Sequence, residues 1–173
     1  MSKKNRLYFI RLTYEYLMYL KKIETRISEK IKRPLIGIVL EVDNKKYFAP
    51  LSSPKEKHKL MKENLDIVKI KKGELGIINL NNMIPVIDDK KYRTVIDLNI
   101  LKKSKSEKER KYFRLLQEQL NYCEKNREFI ERKAEKIYEI SQKDYKELTK
   151  TEKKILSRSN NFKILEKAIE KII

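Results

Sequence analysis

The sequence predicts an α+β fold: a single domain with a small antiparallel sheet first and helices stacked behind it. Three observations carry this. Through about residue 103, short apolar, β-branched runs bounded by turn residues alternate with brief helical patterns. After that point apolar positions recur only at 3- and 4-residue spacing, so the C-terminal third reads as helix. At 173 residues the chain is long enough for one real core and short for two. It therefore reads as one unit over 1–173, sheet-rich over 1–103 and helical over 104–173.

Residues 7–10 are apolar enough for a first strand. Over 13–24, Tyr16, Leu17, Leu20 and Ile23 form a helical stripe. The runs 36–42 and 47–51 flank Asp43, Asn44, Lys45 and Lys46, a hairpin turn by composition. Ser53, Pro54 and Glu56 then spell a helix start: a hydroxyl cap, a proline at the first helical position and a glutamate three residues after the cap. That helix is expected over 54–64. Strands follow at 67–70, 75–80, 83–87 and 95–98, with tight connections at 71–74 and 81–82. Pro85 cannot donate to a ladder, which assigns its run to an edge or a bulge.

Ser104 with Glu107, or Ser106 with Glu109, opens the helical region. Phe113, Leu116, Leu120, Cys123, Ile130, Ala134 and Ile137 form its seam, broken at Arg127 and short enough to pack on the sheet rather than zip onto another chain. Thr149 with Glu152 starts a further helix. Asn160 or Asn161 caps the last one, whose apolar face is Ile164, Leu165, Ala168, Ile169 and Ile172.

Lysine and arginine exceed acids by 18, and residues 1–72 alone hold 11 of that excess. A polyanionic partner follows. General enrichment in lysine would not concentrate the charge in this way. The three glycines build no phosphate-binding loop, and the single His58 and single Cys123 are too few for an ordinary zinc site. Asp88 and Asp89, beside two lysines, read as a turn. No metal and no cofactor are expected. A lone cysteine, no apolar run of spanning length and no apolar N-terminal segment fit a soluble cytoplasmic protein with no membrane role.

The most informative stretch is 46–58, KYFAPLSSPKEKH. A helix start there would offer free N–H groups to a phosphate, and Lys55, Lys57 and His58 crowd the same turn. Lys32, Arg33, Lys45, Lys46, Lys57 and Lys59 are candidates for nucleic-acid backbone contacts, with His58 beside them. Asn79 and Asn82 are candidate base readers.

Three blocks carry a resemblance to a known family: RPLIGIVLEV at 33–42, YFAPLSSPKEKH at 47–58 and GIINLNNMIPV at 76–86. Weaker similarity covers the N-terminal YFI, the tyrosine-rich helix after it, and YFRLLQEQL at 112–120. The chain resembles the ToxN/AbiQ endoribonucleases of type III toxin–antitoxin systems. The resemblance implies a compact domain with a strongly twisted antiparallel sheet and surrounding helices, related to MazF/Kid-type toxins, and RNA cleavage without metal that leaves a 2′,3′-cyclic phosphate. It also implies inhibition by a repeated pseudoknot RNA in protein–RNA hetero-oligomers, and a role in abortive infection. The family's active-site motif falls on Ser52, Ser53, Pro54 and Lys55. Its basic residue before the Ile-Gly strand falls on Arg33, and a tyrosine of the first helix on Tyr14. Where relatives often carry an aromatic before the histidine, this chain has Lys57. Two other readings compete: a non-catalytic RNA- or DNA-binding module that uses the same groove, and a MazF-like toxin with a protein antitoxin.

Overall fold

Strands β2 (Leu35–Val42) and β3 (Lys45–Ser52) form the spine of the sheet. Their hairpin turns through Asp43 and Asn44 alone, at φ 48° and 65°. Two consecutive left-handed residues match the twist of the flanking strands. Lys45 and Lys46, expected in the turn, are already strand residues.

The computed structural model describes residues 5–173. The remaining elements are β1 (Tyr8–Leu12), α1 (Tyr14–Ile23), α2 (Glu56–Leu60), β4 (Ile67–Lys69), β5 (Ile77–Asn79), β6 (Ile84–Pro85) and β7 (Arg93–Val95), then α3 (Leu98–Lys102), α4 (Glu107–Lys125), α5 (Arg127–Gln142), α6 (Lys150–Ser157) and α7 (Phe162–Glu170). The antiparallel order is β4-β5-β3-β2-β1-β7. The far side of β3 is shared: Tyr47 and Phe48 pair with β6, while Leu51 and Ser52 pair with β5. Pro85 thus sits on a strand that pairs only with β3, an edge position that needs no second ladder partner.

Strand alternation divides the core between the two faces. Phe9, Ile36 and Tyr47 pack with Leu116, Cys123, Ile130, Ala134 and Ile137 of α4 and α5. Their neighbours Ile10, Leu35 and Phe48 pack with Leu17 and Leu20 of α1 and Leu165 and Ala168 of α7. The 113–137 seam therefore closes on the sheet, and its break falls at Asn126, between α4 and α5.

Caps set most helix boundaries. Thr13, Ser106, Thr149 and Asn161 accept from the first-turn N–H groups of α1, α4, α6 and α7. Of the two serine alternatives for α4, Ser106 is the cap. Two expectations fail. The last sheet strand ends at Val95, and Asp97 accepts from the N–H groups of Asn99 and Ile100 to start α3, so helix begins before residue 103. The helix expected over 54–64 is the five-residue α2, and Ser53 does not cap it. Among the described residues, no helix is long and apolar enough to cross a membrane.

Candidate active site

Arg33 lies just ahead of β2, where the chain turns through an N–H bond from Arg33 to the carbonyl of Lys30 at 3.1 Å. Its guanidinium reaches across to the end of β3. Nε donates to the Leu51 carbonyl at 2.8 Å and Nη2 to Ser52 Oγ at 2.7 Å. Burial lowers the arginine's pKa, but a guanidinium stays charged in proteins. From the next strand, Asn79 Nδ2 donates to Ser52 Oγ at 3.0 Å and to the Pro50 carbonyl at 3.2 Å. Ser52 is thus gripped from both sides.

Beyond Ser52 the chain leaves the sheet through Ser53, Pro54 and Lys55, all exposed. Two glycines hold this loop from behind. A Cβ on Gly76, at φ +94°, would lie 2.1 Å from the Ser52 carbonyl oxygen. One on Gly73, at φ +92°, would lie 2.4 Å from the His58 carbonyl oxygen. Neither close approach nor dihedral suits another residue. His58 is 1 % exposed and its Nδ1 accepts the Lys55 N–H at 3.2 Å. That bond requires a neutral ring, and burial together with Lys57 and Lys55 lowers the pKa accordingly. The buried ring sets the phase of α2 and places Lys55, not Ser53, at its cap, which explains the lost helix start. Lys69 Nζ closes the other end of α2 on the Lys59 and Met61 carbonyls, at 2.9 and 3.0 Å. Five residues build little dipole, so the loop's cations, rather than a helix end, are what this turn offers an anion.

Arg33, Ser52, Ser53 and Lys55 line one groove of about 1080 Å³. Arg33, Lys32, Ser52, Ser53 and Lys55 stand on one wall; Lys108, Glu109, Tyr112 and Gln119 of α4 stand opposite, and Arg11 joins them. Six basic residues line it against two acidic ones, Glu29 and Glu109. Arg11 ties the walls together: Nε donates to the Lys32 carbonyl at 3.1 Å, Nη2 to the Tyr112 hydroxyl at 3.3 Å, and its guanidinium lies 5.8 Å from the Tyr112 ring centre. Among the described residues, no cluster of three or more His, Cys, Asp or Glu could hold a metal ion.

The other sequence candidates stand apart from the groove lining. Tyr14 is 63 % exposed at the start of α1. Lys45 pairs with Glu170 of α7 at 3.0 Å, and Lys46 belongs to the same end of β3. Lys57 and Lys59 are exposed on α2, Lys59 beside Glu56 at 3.3 Å. His58 is buried and supports the loop from inside. Asn79 is buried, and its Nδ2 is spent on the Pro50 carbonyl and Ser52 Oγ. Asn82 lines, with Leu17, Ile27 and Asn160, a small neighbouring cavity that shares Lys30, Ile31 and Arg33 with the groove. Conversely, sequence reasoning passed over Arg11, Lys108 and Gln119. Tyr112 and Gln119 lie inside the YFRLLQEQL block, the one signal that pointed their way.

The sequence and fold have known relatives. The chain is 30% identical over 141 residues to the endoribonuclease ToxN of Pectobacterium atrosepticum, covering 75% of this chain and 78% of that protein. It is 35% identical over 144 residues to the endoribonuclease AbiQ of Lactococcus lactis subsp. lactis, covering 75% and 73%. Among solved structures, that of AbiQ, a lactococcal anti-phage endoribonuclease of the type III toxin–antitoxin system, superposes with a TM-score of 0.76 at 28% identity, over 95% of this chain and 97% of that one. A type III toxin selectively inhibited by a non-coding RNA pseudoknot shares the fold, with a TM-score of 0.81 at 22% identity over 97% and 98%. Residues 8–170 match the family model for the toxin ToxN of type III toxin–antitoxin systems, so the chain belongs to the ToxN toxin family.

Proposed function

We propose that this chain is the endoribonuclease toxin of a type III toxin–antitoxin pair, acting on RNA in the cytoplasm and silenced by a repeated pseudoknot RNA bound in the same groove. The observation that carries the reading is the Arg33–Ser52 contact at 2.7 Å on the wall of a large basic groove, with Ser53 and Lys55 on its rim. The family's motif residues thus converge with a fixed cation where a phosphodiester would lie.

RNA breaks when its 2′-oxygen attacks the adjacent phosphorus and the 5′-oxygen departs, leaving a 2′,3′-cyclic phosphate. The enzyme aligns these atoms, stabilises the extra charge on the phosphorane and moves two protons. Arg33 keeps its charge and does not surrender a proton. Its part is electrostatic, toward the phosphorane and Ser52. Ser53 and Lys55, exposed beside it, donate to the phosphate, and the Lys55 ammonium is the group free to protonate the departing 5′-oxygen. Preorganised donors of this kind contribute about 3 kcal/mol each. Protein cations do the work of charge stabilisation, so no metal is required.

Expression of the wild type in cells, beside Ser53→Ala and Lys55→Ala, tests this. The wild type arrests growth and leaves cellular RNA with 2′,3′-cyclic ends, and each variant loses about 10²-fold or more of the cleavage rate. In vitro, cleavage persists in excess EDTA. If all three proteins leave cells growing and RNA intact, the proposal is wrong; complete loss under chelation would contradict the metal-free route.

A further inference from the structure

We infer that Asn79 is a positioning residue that makes Ser52 an obligate hydrogen-bond donor into the groove. A serine hydroxyl has two acceptor sites and one hydrogen. Arg33 Nη2 fills one acceptor site of Ser52 at 2.7 Å, and Asn79 Nδ2 fills the other at 3.0 Å. Neither assignment is reversible. A guanidinium has no acceptor, and the second hydrogen of the Asn79 amide goes to the Pro50 carbonyl at 3.2 Å, an atom that only accepts.

Both lone pairs of Ser52 are therefore spent inside the protein. Its one hydrogen remains, on a side chain that lines the groove. Such a hydroxyl cannot take the 2′ proton, and donating to the 2′-oxygen would blunt the nucleophile. It suits a non-bridging phosphate oxygen, whose charge grows in the transition state, so its effect belongs to the bond-breaking rate more than to RNA affinity. The sheet register puts this device in place. Ile77 of β5 pairs with Ser52, which leaves Asn79 two residues along, beside Pro50.

This inference rests on the proposed endoribonuclease reading, and one experiment separates the two. Single-turnover cleavage is measured on a short RNA carrying either phosphorothioate diastereomer at the scissile position. The proteins are the wild type, Ser52→Ala, Asn79→Asp, Asn79→Ala, and Ser52→Ala combined with Asn79→Asp. A carboxylate at 79 accepts and turns the Ser52 hydrogen away from the groove.

Ser52→Ala and Asn79→Asp are each expected to slow cleavage by about 10²- to 10³-fold with RNA binding little changed. The double variant is expected to be no slower than Ser52→Ala alone. Discrimination between the diastereomers is expected to fall in both single variants. Should Asn79→Asp fail to fold, Asn79→Ala carries the test: it frees one acceptor site, giving a smaller loss, again not additive with Ser52→Ala. Additive losses, or Asn79 variants with wild-type rate and diastereomer preference, overturn the inference alone. Wild-type cleavage by Ser52→Ala would overturn the placement of the site itself.

Discussion

The imidazole of His58 supports Lys55 from inside the fold, and the proton it must not carry gives a measurable signature. Its folded-state pKa is depressed by burial and two lysines, so below about pH 6.5 the unfolded chain binds the proton that the folded chain refuses. Stability is full above that value and declines as pH falls toward the depressed one. Melting temperatures from pH 7.5 to 5 are expected to fall in the wild type and to fall less in His58→Asn, which keeps an acceptor for the Lys55 N–H without titrating. An unchanged slope in the variant would count against this role. Gly76→Ala is expected to lower stability by about 1–2 kcal/mol from its left-handed dihedral alone, and further because the Ser52 carbonyl must retreat; chemical denaturation measures it, and cleavage should fall with it. At this scale the sequence singled out Ser52, Ser53, Lys55 and Arg33, and the fold brings all four to one groove. The sequence did not show burial: Asn79 and His58 have the chemistry to read RNA, and only the fold reveals that Asn79 Nδ2 bonds Ser52 and Pro50 and that His58 Nδ1 accepts the Lys55 N–H.

At the scale of elements, polar ties fix how the C-terminal helices sit on the sheet. Asp66, fully buried, receives Arg158 through Nε at 2.5 Å and Nη2 at 3.0 Å. The connection between α6 and α7 is also held by Arg26 Nη1 on the Ser159 carbonyl at 2.6 Å and by the Asn161 N–H on Glu24 Oε2 at 2.7 Å. Arg158→Ala strands the Asp66 carboxylate. Loss of one partner of a buried pair costs about 3–5 kcal/mol, and the lower figure applies because Arg158 is itself half exposed. Urea unfolding checks it; a change under 1 kcal/mol would contradict the picture. Long elements were legible because their signals are redundant: α4 and α5 carry several apolar turns, Thr149 caps α6 as its pattern says, and Ser106 and Asn161 are each one of the two caps their patterns offered. Short ones were not. In α2 a single buried histidine outweighs the Ser53–Glu56 cap pattern, and α3 depends on one aspartate, Asp97. Five-residue helices hold their shape through tertiary contacts, which local sequence does not encode.

For the whole molecule, charge and shape act together. The excess of positive charge concentrates in the first 72 residues, and the fold brings part of it to the groove while α4 supplies the facing wall. If the six groove cations meet phosphates, single-stranded RNA affinity is expected to fall with salt at a log–log slope of about −4, roughly 10²-fold between 50 and 200 mM. A slope near zero would place binding elsewhere. The sequence announced the polyanionic partner plainly, but not the groove, because its walls come from stretches far apart in the chain, Lys32 to Lys55 on one side and Lys108 to Gln119 on the other. A crystal structure with an RNA carrying a 2′-O-methyl group at the scissile nucleotide, which blocks attack, is the most direct measurement. The account predicts its phosphate between Ser52, Ser53 and Lys55, with a non-bridging oxygen within hydrogen-bond reach of Ser52 Oγ; RNA bound on another face, with these side chains facing open solvent, would contradict it.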